Sequence, residues 1–312
     1  MGTTLYKNAD WIITMNEKRE KIRHGDLLIS GKEILDVGTD LEKKYEGTLK
    51  IDHVVEAEGT VILPGFVNVH HHTWQSLIRN IQATRGLKLE PWLTVMYEIY
   101  KDLNTDVARA GVYSGLGDML KTGCTTSNDL WYPHPVGVKY LVDAEIEAAA
   151  EIGIRFHPTR GFHSVPSSIV PPEVVDTKES VVEDTIRLVK KYHDRSRFSM
   201  CQVGIAPSIA QYETEDIIEA VVDLAEEYDI MVHGHLAESQ HEVEYTLKTW
   251  GCRPFEWFKR HRLLGKRFYF AHCIHLNEEE IAQMAETGTG VAHCPISNML
   301  LSSGACPVPS YL

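Results

Sequence analysis

The 312-residue sequence has no excess of basic residues and no long apolar run. Its 31 Lys and Arg residues are outnumbered by 44 Asp and Glu residues, which gives a formal net charge of −13 at pH 7. This balance argues against a nucleic-acid partner, because a phosphate backbone requires a basic protein face. No apolar stretch approaches the ~20 residues that cross a bilayer. The amino-terminal segment also lacks the basic leader and apolar block of a secretion signal, so we expect a protein without membrane spans or a signal peptide.

Cysteine occurs six times, but never with the Cys-x-x-Cys spacing of many metal and redox motifs. In a chain of this length, scattered cysteines are typical of reduced thiols and not of a disulfide framework. The sequence therefore predicts a cytoplasmic location.

The pattern of apolar residues changes at about residue 60. Residues 1–60 contain short apolar segments separated by turn signals such as Ser30-Gly31, and they predict a small β domain that is incomplete without a C-terminal return. In residues 61–312, short apolar runs alternate with longer helical patterns. The seven runs span residues 61–70, 123–130, 153–161, 200–208, 229–238, 267–276 and 288–297.

This alternation of strand and helix predicts an α/β protein with a parallel sheet. Each run is apolar first and polar at its C-terminal end, which is where a TIM-type (β/α)₈ barrel builds its active site. A closed barrel needs eight strands, and we count seven. We therefore expect residues 61–312 to form a C-terminally truncated barrel that lacks strand eight.

Three consecutive histidines, His70 to His72, follow the first run. Alternate side chains share a face of a strand, so His70 and His72 are expected to point together and His71 away. Two imidazoles placed in this way can share one divalent metal. Taken alone, the run could equally be polar filler at a strand end.

Further histidines end three of the later strands, and packing does not readily explain so many. His233 and His235 alternate in HGHLAES, with Glu238 three residues further on the loop, where a carboxylate could reach a metal-bound water. The last two of these strands end in AHCIH, which contains His272 and His275, and in VAHCP, which contains His293. Together these motifs predict a metal-dependent active site.

The motifs LPGFVNVHHH, HGHLAES, AHCIHL and GTGVAHCPISN resemble the amidohydrolase superfamily, in its amino-heterocycle deaminase and chlorohydrolase branch. The resemblance is greatest to the 8-oxoguanine and isoxanthopterin deaminases. It implies that His70, His72 and His235 bind one divalent metal, with zinc favoured over iron. It also implies that Glu238 is the proton shuttle and that His272 contacts the attacking water.

The reaction implied by this resemblance is hydrolytic deamination of a purine- or pterin-like amino-heterocycle. The metal would lower the pKa of water and supply hydroxide, which adds to the carbon that bears the exocyclic amine. Glu238 would carry the water proton to a ring nitrogen and then to the departing ammonia, while His272 stabilises the tetrahedral centre.

Three residues are candidates for substrate contacts. Gln75 matches an amide that reads a purine-like edge, because a glutamine side chain both donates and accepts. Arg160 matches a carbonyl-recognising arginine, although it could be a solvated charge at a strand end. Trp92 could stack on a ring, although a tryptophan after Pro91 is more often part of a core. Asn128 and Asp129, which close the second strand, are expected to anchor a loop by hydrogen bonds and not to act in catalysis.

The sequence departs from the family at one ligand. Family members carry an aspartate at the end of strand eight, and no matching stretch follows HCPISN here. One alternative is therefore an inactive, truncated fragment that binds metal. A second is a triazine chlorohydrolase or aminohydrolase, which uses the same hydroxide. A methylthioadenosine or adenosylhomocysteine deaminase fits the TRG and HHH motifs less well. The resemblance also suggests a homo-oligomer, by analogy alone.

Overall fold

A computed structural model describes residues 2–312 and separates two compact units, with the boundary in the chain between Phe66 and Val67. We propose that these units correspond to the small β domain and the hydrolase barrel expected from the sequence. Within residues 2–312, no helix combines the length and the apolar character that a membrane span requires.

The first unit is built around one long strand. Strand β1 pairs antiparallel with β2 and parallel with both β4 and β5. Leu5 and Leu28 from the paired strands pack with Leu41 in a small buried core. The elements are β1 Thr3–Ile13, β2 Lys21–Ser30, β3 Glu33–Gly38, α1 Leu41–Lys44, β4 His53–Glu56 and β5 Val61–Ile62.

The second unit contains a curled sheet of seven strands whose order in space follows their order in the chain. From β7 onward, every neighbouring pair is parallel. The predicted TIM-type barrel class is confirmed. The strands are β6 Phe66–Asn68, β7 Cys124–Trp131, β8 Arg155–Phe162, β9 Gly204–Pro207, β10 Val232–Leu236, β11 Phe268–His272 and β12 Gly290–Ala292.

Helices connect these strands, and their sequences explain where they form. In α6, six apolar side chains recur at helical spacing and are buried. Asn104, Thr177, Ser239 and Asn277 cap the amino ends of α3, α5, α7 and α9. The helices are α2 Leu89–Tyr100, α3 Thr105–Lys121, α4 Leu141–Ile152, α5 Lys178–Tyr192, α6 Glu215–Tyr228, α7 Gln240–Trp250, α8 Pro254–Arg260, α9 Glu278–Thr287, α10 Pro295–Leu300 and α11 Val308–Tyr311.

Helix α3 lies unusually close to the chain that follows the histidine run. That chain forms a 3₁₀ helix, Thr73–Ile78. A Cβ atom at Gly111 would lie 2.7 Å from the Cα atom of Trp74, so only glycine permits this approach. The same helix carries Gly117, where an added Cβ atom would meet no atom within 4 Å.

These two glycines give a matched test of the packing. We expect Gly111→Ala to lower the free energy of unfolding by about 1–3 kcal/mol, because the added methyl group overpacks against backbone. We expect Gly117→Ala to raise it by up to about 1 kcal/mol, because alanine is the better helix former. Urea unfolding followed by circular dichroism measures both, and similar values for the two variants would contradict the close approach.

Candidate metal centre and active site

Histidines in or just after three different strands meet at the carboxyl end of the parallel sheet. His235 lies within β10, and His272 is the last residue of β11. Strand β6 ends at Asn68, so His70 and His72 lie just beyond it. The sequence had suggested that they lie within the strand. The backbone nevertheless brings their rings together, with 4.8 Å between the ring centroids.

Three side chains form a group that could hold a metal ion. One ring nitrogen from each of His70, His72 and His235 lies within 4.8 Å of the other two. The Nε2 atoms of His72 and His235 are 3.3 Å apart. The structure therefore brings together the three residues predicted as ligands.

The hydrogen bonds of two of these rings determine where their protons lie. His72 Nδ1 is 2.7 Å from the carbonyl oxygen of Leu130, and His235 Nδ1 is 2.7 Å from that of Ser208. A carbonyl oxygen only accepts, so both Nδ1 atoms must carry the proton. Burial lowers the pKa of His235 to about 4 and that of His72 well below its ordinary value, so both rings are neutral. Their Nε2 lone pairs face each other with no proton between them.

The ring of His70 is fixed in the same tautomer by its hydrogen bond to His233. His233 Nδ1 donates to the carbonyl oxygen of Tyr269 at 2.9 Å, which leaves its Nε2 atom as an acceptor. His70 Nδ1 lies 2.7 Å from that Nε2 atom and must therefore donate to it. The free lone pair of His70 is then on Nε2 as well.

This arrangement fits a divalent cation. Three neutral imidazoles with converging Nε2 lone pairs repel one another unless a positive charge lies between them, and they are the ligand set that zinc accepts. The partners of the Nδ1 atoms fix the ring orientations, as the outer hydrogen bonds of metal-binding histidines usually do. His233 lies next to this group and orients His70.

Glu238 and His272 lie together beside this group. Glu238 Oε2 is 3.4 Å from His272 Nε2, and Ser303 donates to Glu238 Oε1 at 3.4 Å. Burial is the main cause that raises the pKa of Glu238 to about 7, so this carboxyl group can gain or lose a proton near neutral pH. Burial also lowers the pKa of His272 to about 4.

Left-handed backbone directs both side chains inward. Ala237, just before Glu238, has φ 49°, and the adjoining residues His272 and Cys273 have φ 71° and 46°. The main-chain oxygen of Ala237 accepts hydrogen bonds from the amides of Ile274 and His275. The two strand ends are thereby joined behind the site.

A cavity of about 860 Å³ opens in front of these residues. Gln75 and Trp92, two of the predicted substrate contacts, both line it. The Nε2 atom of Gln75 donates to the hydroxyl oxygen of Tyr100 at 2.9 Å, which holds the amide against the cavity wall. The volume is within the range of small-molecule sites and is ample for a bicyclic heterocycle.

The structure does not bring Arg160 to this cavity. Its guanidinium group is buried and bonded to Asp176 at 2.7 Å and to Asp184 at 3.0 Å. A further hydrogen bond goes to the carbonyl oxygen of Gly161. The substrate contact expected for Arg160 therefore has no support in the geometry, because the side chain is directed into a buried ion-pair network. It is not a solvated charge either.

Two further features of the site were not expected from the sequence. Asn298 Oδ1 accepts from His272 Nδ1 at 2.7 Å, so it orients that ring. The ISN end of the GTGVAHCPISN motif contained this residue, but no spacing rule linked it to His272. Cys294 also lies near His70 and His272, in a second group of possible ligands within 4.8 Å of one another. Burial raises the pKa of the Cys294 thiol to about 12, which makes it a weak ligand.

Comparison with known proteins agrees with this geometry. Residues 61–312 match the Amidohydrolase family. The chain belongs to the amidohydrolase family.

Several enzymes are similar to this chain in sequence or in fold. An 8-oxoguanine deaminase from Pseudomonas aeruginosa is 35% identical over 255 residues, which make up 81% of this chain and 57% of that protein. A 5-methylthioadenosine/S-adenosylhomocysteine deaminase from Bacillus cereus is 32% identical over 310 residues, which make up 99% of this chain and 67% of that protein. The zinc complex of the atrazine chlorohydrolase TrzN from Arthrobacter aurescens TC1 superposes with a TM-score of 0.91 and 25% identity. That match covers 99% of this chain and 69% of the other.

The chain thus spans between 57% and 69% of the length of these three proteins. The resemblance to the amidohydrolase branch of deaminases and chlorohydrolases is confirmed.

His233 gives a test of how the ring of His70 is fixed. We expect His233→Ala to lower zinc affinity by about 10–100-fold, because His70 loses the acceptor that keeps its Nε2 atom unprotonated. Competition with a chromophoric chelator measures the affinity. The control is His53→Ala, an exposed histidine in the first unit, which should leave it unchanged. Equal affinities of the two variants, both with wild-type circular dichroism, would show that His233 does not orient a ligand.

Proposed function

We propose that this protein is a metal-dependent hydrolytic deaminase of a purine- or pterin-like amino-heterocycle. The observation that carries the proposal is the convergence of three neutral imidazoles beside a buried carboxyl group, at the floor of one cavity. Neither packing nor solubility requires such a set of polar groups at one place.

His70, His72 and His235 would hold the metal, for which we propose zinc. A divalent metal held there acts as a Lewis acid and lowers the pKa of water toward ~7. Three protein ligands leave further positions open for water and substrate, which is typical of catalytic zinc.

Glu238 would carry the proton transfers, with His272 next to it. A carboxyl group with a pKa of about 7 can take a proton from water and return it to a ring nitrogen or to the departing ammonia. His272 donates from Nδ1 to Asn298, so its Nε2 atom is the one presented to Glu238. That nitrogen can accept the carboxyl proton, which holds the carboxyl group in position while the substrate binds.

The cavity wall supports a flat, uncharged substrate. Trp92, Leu93 and Met96 supply apolar surface for a ring face, and Gln75 supplies an amide at the same wall. The 35% identity to an 8-oxoguanine deaminase supports an oxidised purine as the first substrate to test.

A triazine hydrolase is the second candidate. The structural match to an atrazine chlorohydrolase, with a TM-score of 0.91, favours it. The two activities need the same ligands and differ in the group that leaves, chloride or an amine.

The deaminase proposal is tested with the zinc-loaded protein and a panel of 8-oxoguanine, guanine, isoxanthopterin and atrazine. Release of ammonia and of chloride is measured for each. We expect ammonia from at least one fused bicyclic ring. Chloride from atrazine alone would support the triazine hydrolase, and zinc binding without either product would support a metal-binding protein without activity.

Glu238→Gln tests the proton role within the same assay. We expect ammonia release to fall by about 10²–10⁴-fold, because the amide cannot take up and return a proton. Zinc content should be unchanged, since Glu238 is not one of the three proposed ligands. Glu183→Gln, an exposed position on α5, is the matched control and should keep full activity. Wild-type rates for Glu238→Gln would exclude Glu238 as the proton shuttle.

The cytoplasmic location, the homo-oligomer and the absence of a nucleic-acid partner stay predictions. They rest on composition and analogy.

A further inference from the structure

Two carboxyl groups that the proposed chemistry does not use lie buried behind the histidine run. Asp129 on β7 and Glu145 on α4 are both fully buried. The groups that act on the pKa of each carboxyl are its partner and Thr73, and among the described residues no lysine or arginine contributes. Two carboxylates that are bonded to the same residue and have no counter-charge are costly to bury.

Thr73 joins the two groups. Its backbone amide donates to Asp129 Oδ1, and its hydroxyl donates to Glu145 Oε1. These bonds use both protons that Thr73 can offer. The other carboxyl oxygens, Asp129 Oδ2 and Glu145 Oε2, are buried and accept no hydrogen bond from the described residues.

A single proton between the carboxyl groups removes both difficulties. It reduces the charge of the pair from two to one, and it supplies the donor that the remaining oxygens lack. Burial raises the pKa of Asp129 to about 7. Burial, with repulsion from Asp129 next in size, raises the pKa of Glu145 well above its ordinary value.

The pair belongs to a larger attachment between β7 and the histidine run. Leu130 N donates to the carbonyl oxygen of His71 at 2.8 Å. His72 Nδ1 donates to the carbonyl oxygen of Leu130 at 2.7 Å. The bond from Thr73 N to Asp129 is the next contact along the same two segments. Residues 71–73 are thus held at three successive points, and His72 lies in the middle.

We propose that Asp129 and Glu145 share one proton and, through Thr73, act as positioning residues for the ring of His72. The metal-binding half of this statement rests on the function proposed above, whereas the shared proton does not. Glu145 extends the attachment to α4, so the ring orientation depends on a helix outside the sheet.

The shared proton is tested by infrared spectroscopy of the protein with and without zinc. Wild-type protein should show the C=O stretching band of a protonated carboxyl group that Asp129→Asn and Glu145→Gln each remove. The double variant Asp129→Asn/Glu145→Gln should lose no more band intensity than either single variant, because only one proton is present. Unchanged bands in the single variants, or twice the loss in the double variant, would overturn the proposal.

The positioning role is tested by zinc affinity. We expect Glu145→Leu to weaken zinc binding by about 10–100-fold, because Thr73 loses its acceptor and His72 its fixed orientation. Glu145→Gln keeps an acceptor for Thr73 and gains a permanent donor for Asp129, so it should retain near wild-type affinity. Equal affinity in the leucine and glutamine variants would refute the positioning role.

These outcomes separate the two proposals. If wild-type protein binds no zinc, the metal centre fails, while the infrared measurement still decides the shared proton. If Glu145→Leu does not fold, the infrared comparison of Asp129→Asn, Glu145→Gln and Glu183→Gln still decides the shared proton, since those variants preserve side-chain volume. Thr73→Val, which removes the hydroxyl donor to Glu145 at nearly constant volume, then replaces Glu145→Leu in the affinity test, and wild-type affinity of Thr73→Val would overturn the positioning role. Loss of zinc affinity in Glu183→Gln would point to a general effect of charge and overturn the positioning role.

Discussion

The site depends on backbone carbonyl oxygens that accept the Nδ1 protons of histidine rings. Leu130, Ser208 and Tyr269 each provide one such oxygen from a position in or next to the sheet. An acceptor without a proton of its own leaves the ring no alternative tautomer. The lone pairs that converge at the mouth of the barrel are therefore a consequence of how neighbouring strands pair.

Parallel pairing explains why these acceptors are available. Each strand ends beside its neighbour at the same edge of the sheet, so carbonyl groups that leave the ladder there are free to accept from side chains. Other side chains of the site bond to one another in pairs, as with Asn298 and His272 or Ser303 and Glu238. Burial keeps the histidines neutral and raises the pKa of Glu238, so one physical cause prepares both the ligands and the proton carrier.

Much of this arrangement could be predicted from residue types and spacing. The alternation of apolar runs and helical patterns was enough for the barrel class, and histidines at strand ends were enough to predict a metal site. The family resemblance was needed to select His70, His72 and His235 among them. Side-chain direction was harder to predict. Arg160 ends a strand, as a substrate contact would, but two aspartates distant in sequence, Asp176 and Asp184, draw its guanidinium group into the interior. Asp129 was expected only to anchor a loop, and its partnership with Glu145 depends on a helix that no motif connects to the site.

The left-handed backbone at Ala237, His272 and Cys273 limits how the sequence can vary. Non-glycine residues in this region cost of order 1–3 kcal/mol each, and β-branched side chains are the least tolerated there. Valine, isoleucine and threonine are consequently poor substitutes at three positions that carry no chemistry in common. Backbone geometry therefore restricts which residue types can replace these three, even where the residues of the neighbouring cavity wall can be substituted.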